Sequence, residues 1–169
     1  MYRAFAVNGE RVLIAEDMAP MTFSAAGVTG TTCGAGIAGE QLIGLKCSHP
    51  FIDREIPVFT AEYVTLDAGT GCVHTAPGHG QDDYRLCAEP GIAPYAPVDE
   101  HGRFEADVEH WAGRKVTEAN SDIVKYLSST GALLNPVGQY IKHQYPCCWR
   151  CKSPIIFRST PQWFVSMDN

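Results

Sequence analysis

The amino-acid sequence predicts a mainly β fold with inserted helices, an α+β arrangement whose short strands form either a β-barrel, closed or partly open, or a compact mixed sheet. Three observations predict it. Runs of β-branched and aromatic residues outnumber helix-like ones, an Asn-Gly pair sits between the first two of them, and 16 glycines and 11 prolines punctuate 169 residues.

Taken in order, Tyr2–Val7 and Arg11–Ala15 flank Asn8-Gly9 and read as a β-hairpin, because Asn and Gly tolerate the positive φ of a tight hairpin turn. Asp17 to Ala26 reads as a short helix weakened by Pro20. The glycine-rich Gly27–Gly39 reads as a turn-filled connection with exposed Thr31 and Thr32 hydroxyls. Glu40–Cys47 and Ile56–Leu66 suit strands, and Cys72–His74 looks like the end of another. Asp82–Ala88 suggests a helix with two acids in its first turn, where the helix dipole favours them, stopped by Pro90 and Pro94. Asn120–Ser129 is the clearest helix, with apolar Ile123, Val124 and Leu127 and Gly131 as its stop. Leu133–Tyr140 and Ile155–Phe157 return to strand.

Composition narrows the class. The chain is 45% hydrophobic and 19% charged, with no run of about 18 apolar residues and no signal-peptide core, which excludes a helical membrane span and predicts a cytoplasmic globular domain. Cys33, Cys47, Cys72 and Cys87 sit singly in apolar surroundings and read as buried free thiols in a reducing cytosol. Charge is uneven: residues 1–122 hold 8 Lys/Arg against 18 Asp/Glu, a balance of −10. Residues 123–167 hold Lys125, Lys142, Arg150, Lys152 and Arg158 and no acid, so a polyanion would meet this third, unless the basic residues are ordinary surface charge.

The chemistry concentrates in Gly69–Tyr84, GTGCVHTAPGHGQDDY, with four glycines, two histidines and two adjacent acids. Core packing asks for no such mixture; glycines allow close backbone approach, and histidines titrate near neutrality. Such a loop binds or transforms something small and polar. Read alone, Asp82 and Asp83 are also acids suited to a helix start, and His74 a half-buried histidine. A metal site from His74, His79 and Asp83 matches no known zinc spacing. Cys148-Trp149-Arg150-Cys151 is a CxxC, half of a tetrahedral zinc site, to which Cys147 or His143 could add a third ligand. A redox CxxC would want a βαβ context that is missing.

Two ordered motifs, Gly69–Tyr84 and YPCCWRCKSPIIFRSTPQWFVSM from Tyr145 to Met167, together resemble the editing domain (connective peptide 1) of class Ia aminoacyl-tRNA synthetases. The isoleucyl enzymes are the nearest match within that family, and the likeness runs from Tyr2 onward. The resemblance implies an editing hydrolase that removes valine wrongly attached to tRNA(Ile), and valyl-adenylate as a further substrate. One methylene is worth only about 1–3 kcal/mol in an apolar pocket, the established magnitude for this discrimination, so a second sieve is needed.

By resemblance, Asp83 matches the family acid that binds the substrate's α-ammonium group, and His74 the histidine that keeps the larger isoleucyl group out; these two are the catalytic candidates. Gly71, Thr75, Gly78, His79 and Gly80 are the substrate-binding candidates, the glycines as close-approach positions and N–H donors to an oxyanion. A loop-fixing hydrogen bond is the other reading of His79. The family needs no cofactor for editing, and its hydrolysis rests on positioning water and substrate without a covalent nucleophile. Zinc through Cys148 and Cys151 is implied for the full-length enzyme, completed by an upstream CxxC. Residues 1–145 then form the editing domain and 146–169 a return segment toward the synthetase body.

The partners implied are the valine-bearing 3′ end of tRNA(Ile) and the rest of the synthetase, in a monomer without membrane contact. The family also carries a threonine-rich peptide before the strand matching Tyr2–Val7, and Thr31-Thr32 does not replace it. The chain is therefore expected to be truncated at its N-terminus. The alternative function is a catalytically weak fragment that binds the aminoacyl-tRNA 3′ end or an amino-acid analogue without turnover.

Overall fold

In the computed structural model, residues 1–67 and 69–167 are described, so the last two positions of the 146–169 segment lie outside the described residues. The chain divides into two compact units, Met1–His74 with Ile123–Tyr140, and Thr75–Asp122 with Ile141–Asn169.

The first unit is built on the hairpin. β1 (Tyr2–Val7) pairs antiparallel with β2 (Glu10–Ala15), in register from Tyr2↔Ala15 to Val7↔Glu10, and Asn8 and Gly9 take the positive φ that the turn demands. A 3-10 turn at Glu16–Met18 leads into α1 (Ala19–Ala26). Pro20 falls in its first turn, where no backbone donor is lost, so it starts this helix and does not weaken it. Gly27, at φ 67, ends it with a left-handed cap. Phe5, Val7, Ile14, Ala15, Met18 and Ala19 form the buried cluster, with Phe23 edge-on to Phe5 at 5.2 Å between ring centroids. Alternation places Phe5 and Val7 on one face of β1, which is why a six-residue strand supplies two core side chains.

The glycine-rich connection is not all turn. β3 (Thr31–Ile37) forms inside it and pairs antiparallel with β1, giving the sheet order β2-β1-β3. Glycine is tolerated because β3 is an edge strand, and Gly34, at φ 83, lies where the register shifts. Thr31 and Thr32 are exposed, as expected.

Elsewhere the expected strands shrink. Glu40–Cys47 divides into a 3-10 turn at Gly39–Leu42 and β4 (Lys46–Ser48), broken at Gly44 with φ 84. Ile56–Leu66 reduces to β5 (Glu55–Pro57), which pairs with β4 in a separate two-stranded sheet. Leu133–Tyr140 forms no strand: Pro136 lacks a donor, Gly138 sits at φ 90, and the segment is held by Gln139 donating to the Ala25 carbonyl at 2.8 Å. Leu134 packs on the core cluster instead. Among the described residues the sheets have three and two strands, and β2 and β3 remain separate edges, so the expected closure into a barrel is not seen. Turn chemistry interrupts too many of the short strands for a closed ladder.

The second unit contains α2 (Gln81–Ala88), one residue longer than expected, with buried Cys87, Val98, Trp111 and Ala119. α3 (Val116–Ser129) begins four residues before the expected Asn120, because the Val116 N–H is already held by the Gly102 carbonyl at 3.0 Å. It ends at Ser129, and Gly131, at φ 74, turns the chain away two residues later, the stop that its sequence indicates. No helix among the described residues is long and apolar enough to cross a membrane.

Candidate functional site

The glycine-rich loop contributes to both units, and its two halves are held by different means. In the first unit Thr22 Oγ1 donates to the Gly69 carbonyl at 2.8 Å, the Ala15 N–H to Thr70 at 2.9 Å, and the Tyr2 hydroxyl to Gly71 at 2.6 Å. Gly71, at φ 75, lies so close to the hairpin that a Cβ there would come within 2.6 Å of the Ala15 Cβ. These side-chain and backbone staples replace the strand ladder expected at Cys72–His74. His74 is exposed.

His49 Nδ1 accepts from the backbone N–H groups of Phe51 and Ile52 at 3.3 and 3.1 Å, and the His49 N–H donates to the Arg54 carbonyl at 3.0 Å. Burial first, then Arg54 and His74, lower the His49 pKa. Because the folded state favours the neutral ring, its contribution to stability is present above the unfolded value of about 6.5 and lost as the pH falls through the lower folded one. The urea midpoint is therefore expected to drop between pH 7.5 and pH 5. His49→Asn, which keeps an acceptor and cannot titrate, should flatten that slope.

In the second unit the loop turns tightly before α2. The N–H groups of His79 and Gly80 both point to the Ala76 carbonyl, at 2.9 and 3.0 Å. Asp83, half-buried in the first turn of α2, reaches back so that its Oδ2 accepts the Ala76 N–H at 2.9 Å. Gly80 is extended before the helix, and a Cβ on it would lie 2.6 Å from that carboxylate oxygen. The turn is thus shaped around the Asp83 carboxylate. Burial, with Asp83 adding to it, pushes the Cys87 thiol up. Asp82 does something different: it pairs with Arg85 across 3.1 Å on the exposed helix face.

Gly78 is buried against the 95–96 backbone, where a Cβ would come within 2.2 Å of the Tyr95 carbonyl oxygen. Its own carbonyl accepts the Ser159 N–H at 2.7 Å. His79 Nδ1 lies 2.8 Å from the Phe157 carbonyl oxygen. A carbonyl only accepts, so Nδ1 carries the proton. His79 also lines an open cavity of about 640 Å³ whose polar positions include Thr117, Asn120, Lys142 and His143, among apolar residues such as Phe104 and Ile155.

The structure therefore brings Gly78, His79, Gly80 and Asp83 together around one turn, with Thr75 just before it, and places Gly71 and His74 in the other unit. The sequence did not point to Ala76, Tyr95, Phe157 and Ser159, because each acts through its backbone and any residue type supplies those atoms.

At the other motif the Cys148 N–H donates to the Ser153 carbonyl at 2.8 Å and the Lys152 N–H to Cys148 at 2.9 Å, with Lys152 at φ 61. In this tight knuckle the Cys151 thiol pKa is lowered, first by the Ser153 hydroxyl and then by the Ser153 N–H and the Cys148 thiol. Two thiols supply at most two of the four ligands that a structural zinc site takes. No group of three or more His, Cys, Asp or Glu suited to a metal ion occurs among the described residues.

Residues 35–133 match the family described as leucyl-tRNA synthetase, editing domain. Similar proteins include the isoleucine--tRNA ligases of Geobacter sulfurreducens, 47% identical over 168 residues, and of Desulfovibrio desulfuricans, 46% identical over 167. That of Thioalkalivibrio sulfidiphilus is 45% identical over 167 residues. Each alignment takes in 99% of this chain but 18% of the relative, so the chain spans less than a fifth of the length of the curated relatives it matches.

Proposed function

Since this chain belongs to the leucyl-tRNA synthetase editing-domain family, we propose that it hydrolyses the ester linking valine to tRNA(Ile), with valyl-adenylate as a further substrate. The isoleucine specificity of the similar ligases supports the choice of tRNA. The observation that carries the reading is the Asp83 carboxylate, anchored by the Ala76 N–H at 2.9 Å in a turn that Gly80 keeps open around it.

An aminoacyl ester presents a free ammonium, and an anchored carboxylate receives it through charge-assisted hydrogen bonds. Water then attacks the ester carbonyl, releasing valine and restoring the terminal ribose hydroxyl. No side chain forms a covalent intermediate; the backbone around Thr75, Gly78 and Gly80 approaches the ester. For Gly71 and His74 the roles rest on the sequence motif, in which Gly71 is a further close-approach position and His74 the residue that admits valine and refuses the extra methylene of isoleucine. In this reading the domain works within a cytoplasmic, monomeric synthetase. Residues 146–169 lead back to its body, and Cys148 and Cys151 supply two of four zinc ligands, outside the editing chemistry.

The purified chain is expected to deacylate Val-tRNA(Ile) about 10- to 100-fold faster than Ile-tRNA(Ile), the range one methylene supports. His74→Ala should narrow that ratio by raising the rate on Ile-tRNA(Ile). Equal rates on the two substrates, or hydrolysis of neither, would overturn the proposal.

A further inference from the structure

We infer that His79 is a positioning residue, which sets the geometry of the Ala76–Asp83 turn by fastening it to the backbone at 157–159. The inference rests on the editing reading above and assigns His79 a part in it other than contact with substrate. Two bonds run side by side between the segments: the Nδ1–H of His79 donates to the Phe157 carbonyl at 2.8 Å, and the Ser159 N–H donates to the Gly78 carbonyl at 2.7 Å. Between them Arg158 Nη1 donates to the Val98 carbonyl at 3.3 Å, and the 95–96 backbone lies against Gly78. Three stretches distant in sequence, 76–80, 95–98 and 157–159, are braced on one another.

The turn needs that brace. Asp83 anchors it from the helix side through Ala76, and the residues between are glycine-rich, with the N–H groups of His79 and Gly80 sharing the Ala76 carbonyl. Glycine flanks His79 on both sides, so the chain there carries the largest conformational freedom available to a backbone. A histidine whose Nδ1–H is committed to a carbonyl removes that freedom without touching the reacting atoms. Misplacement of a catalytic turn by about 1 Å can cost about 10²-fold in rate.

The experiment uses the geometry of side-chain mimicry. The amide nitrogen of asparagine falls near the place of histidine Nδ1, and that of glutamine near Nε2. His79→Ala is expected to lower kcat for Val-tRNA(Ile) deacylation by about tenfold or more, His79→Asn to restore most of it, and His79→Gln to restore little. Amide hydrogen exchange on the same proteins reads the brace directly. The Ser159 and Ala76 N–H groups should be protected in the wild type and His79→Asn, and faster to exchange in His79→Ala and His79→Gln. Rescue by glutamine and not by asparagine would mean that Nε2 meets the substrate, and would overturn the inference. Unchanged exchange at Ser159 and Ala76 in His79→Ala would also overturn it. If the wild-type chain deacylates nothing, the editing reading fails, and exchange alone decides whether His79 positions the turn.

Discussion

Asp83→Ala is expected to lower deacylation of Val-tRNA(Ile) by about 10- to 100-fold, since hydrogen bonds to a charged group contribute about 1.5–3 kcal/mol. Two losses combine in that variant. The substrate ammonium loses its carboxylate, and the Ala76 N–H, held at 2.9 Å in the native turn, loses its acceptor. Asp83→Asn separates them. Its amide oxygen still accepts from Ala76, so the thermal midpoint should stay near that of the wild type, while the charge that draws the ammonium is gone and deacylation should fall nearly as far as in Asp83→Ala. Asp82→Asn is the companion measurement. Asp82 pairs with Arg85 on the exposed face of α2, and exposed pairs of this kind contribute about 0–1 kcal/mol, so little change is expected. Deacylation by Asp83→Asn at the wild-type rate would remove Asp83 from ammonium recognition.

Gly78→Ala should be the most damaging single methyl in the loop. The added carbon would stand 2.2 Å from the Tyr95 carbonyl oxygen and 2.6 Å from its carbon, both backbone atoms that no rotamer change can move aside. Overpacking of this kind costs about 1–3 kcal/mol. The strain should appear as a lower urea midpoint. If the turn moves to relieve it, the Ser159–Gly78 and His79–Phe157 bonds lengthen together, and deacylation should fall beyond what the loss of stability explains. Gly91→Ala provides the contrast. Nothing lies within 4 Å of a Cβ there, and its φ of 75 gives a backbone penalty in stability with no reason for a change in the turn. A Gly78→Ala protein with native stability and rate would refute the close packing at Tyr95.

Much of this molecule is local enough to be legible in its sequence. The hairpin follows from Asn8-Gly9 between two alternating runs. The Asp82–Ala88 helix follows from its acidic first turn, and the end of α3 from Gly131. Asp83 could be separated from Asp82 only by resemblance, and the structure gives the two acids different partners, the Ala76 amide and the Arg85 guanidinium. What escaped were elements whose pairing is decided at a distance. β3 forms in a glycine-rich stretch because β1 offers it a free edge, while Leu133–Tyr140 looks like a strand and finds no ladder.

The sequence by itself determined the family, the residue types available for recognition and the turns that punctuate the chain, because side-chain chemistry and glycine's φ freedom belong to single positions. Only the tertiary structure decided that Asp83 holds the Ala76 amide, that Gly78 must be bare because the Tyr95 carbonyl occupies the space, and that His79 spends its Nδ1 proton on Phe157. Those partners are backbone atoms from other parts of the chain. Every residue type carries the same carbonyl and nearly every one the same N–H, so nothing in the identity of Ala76, Tyr95 or Phe157 marks it beforehand.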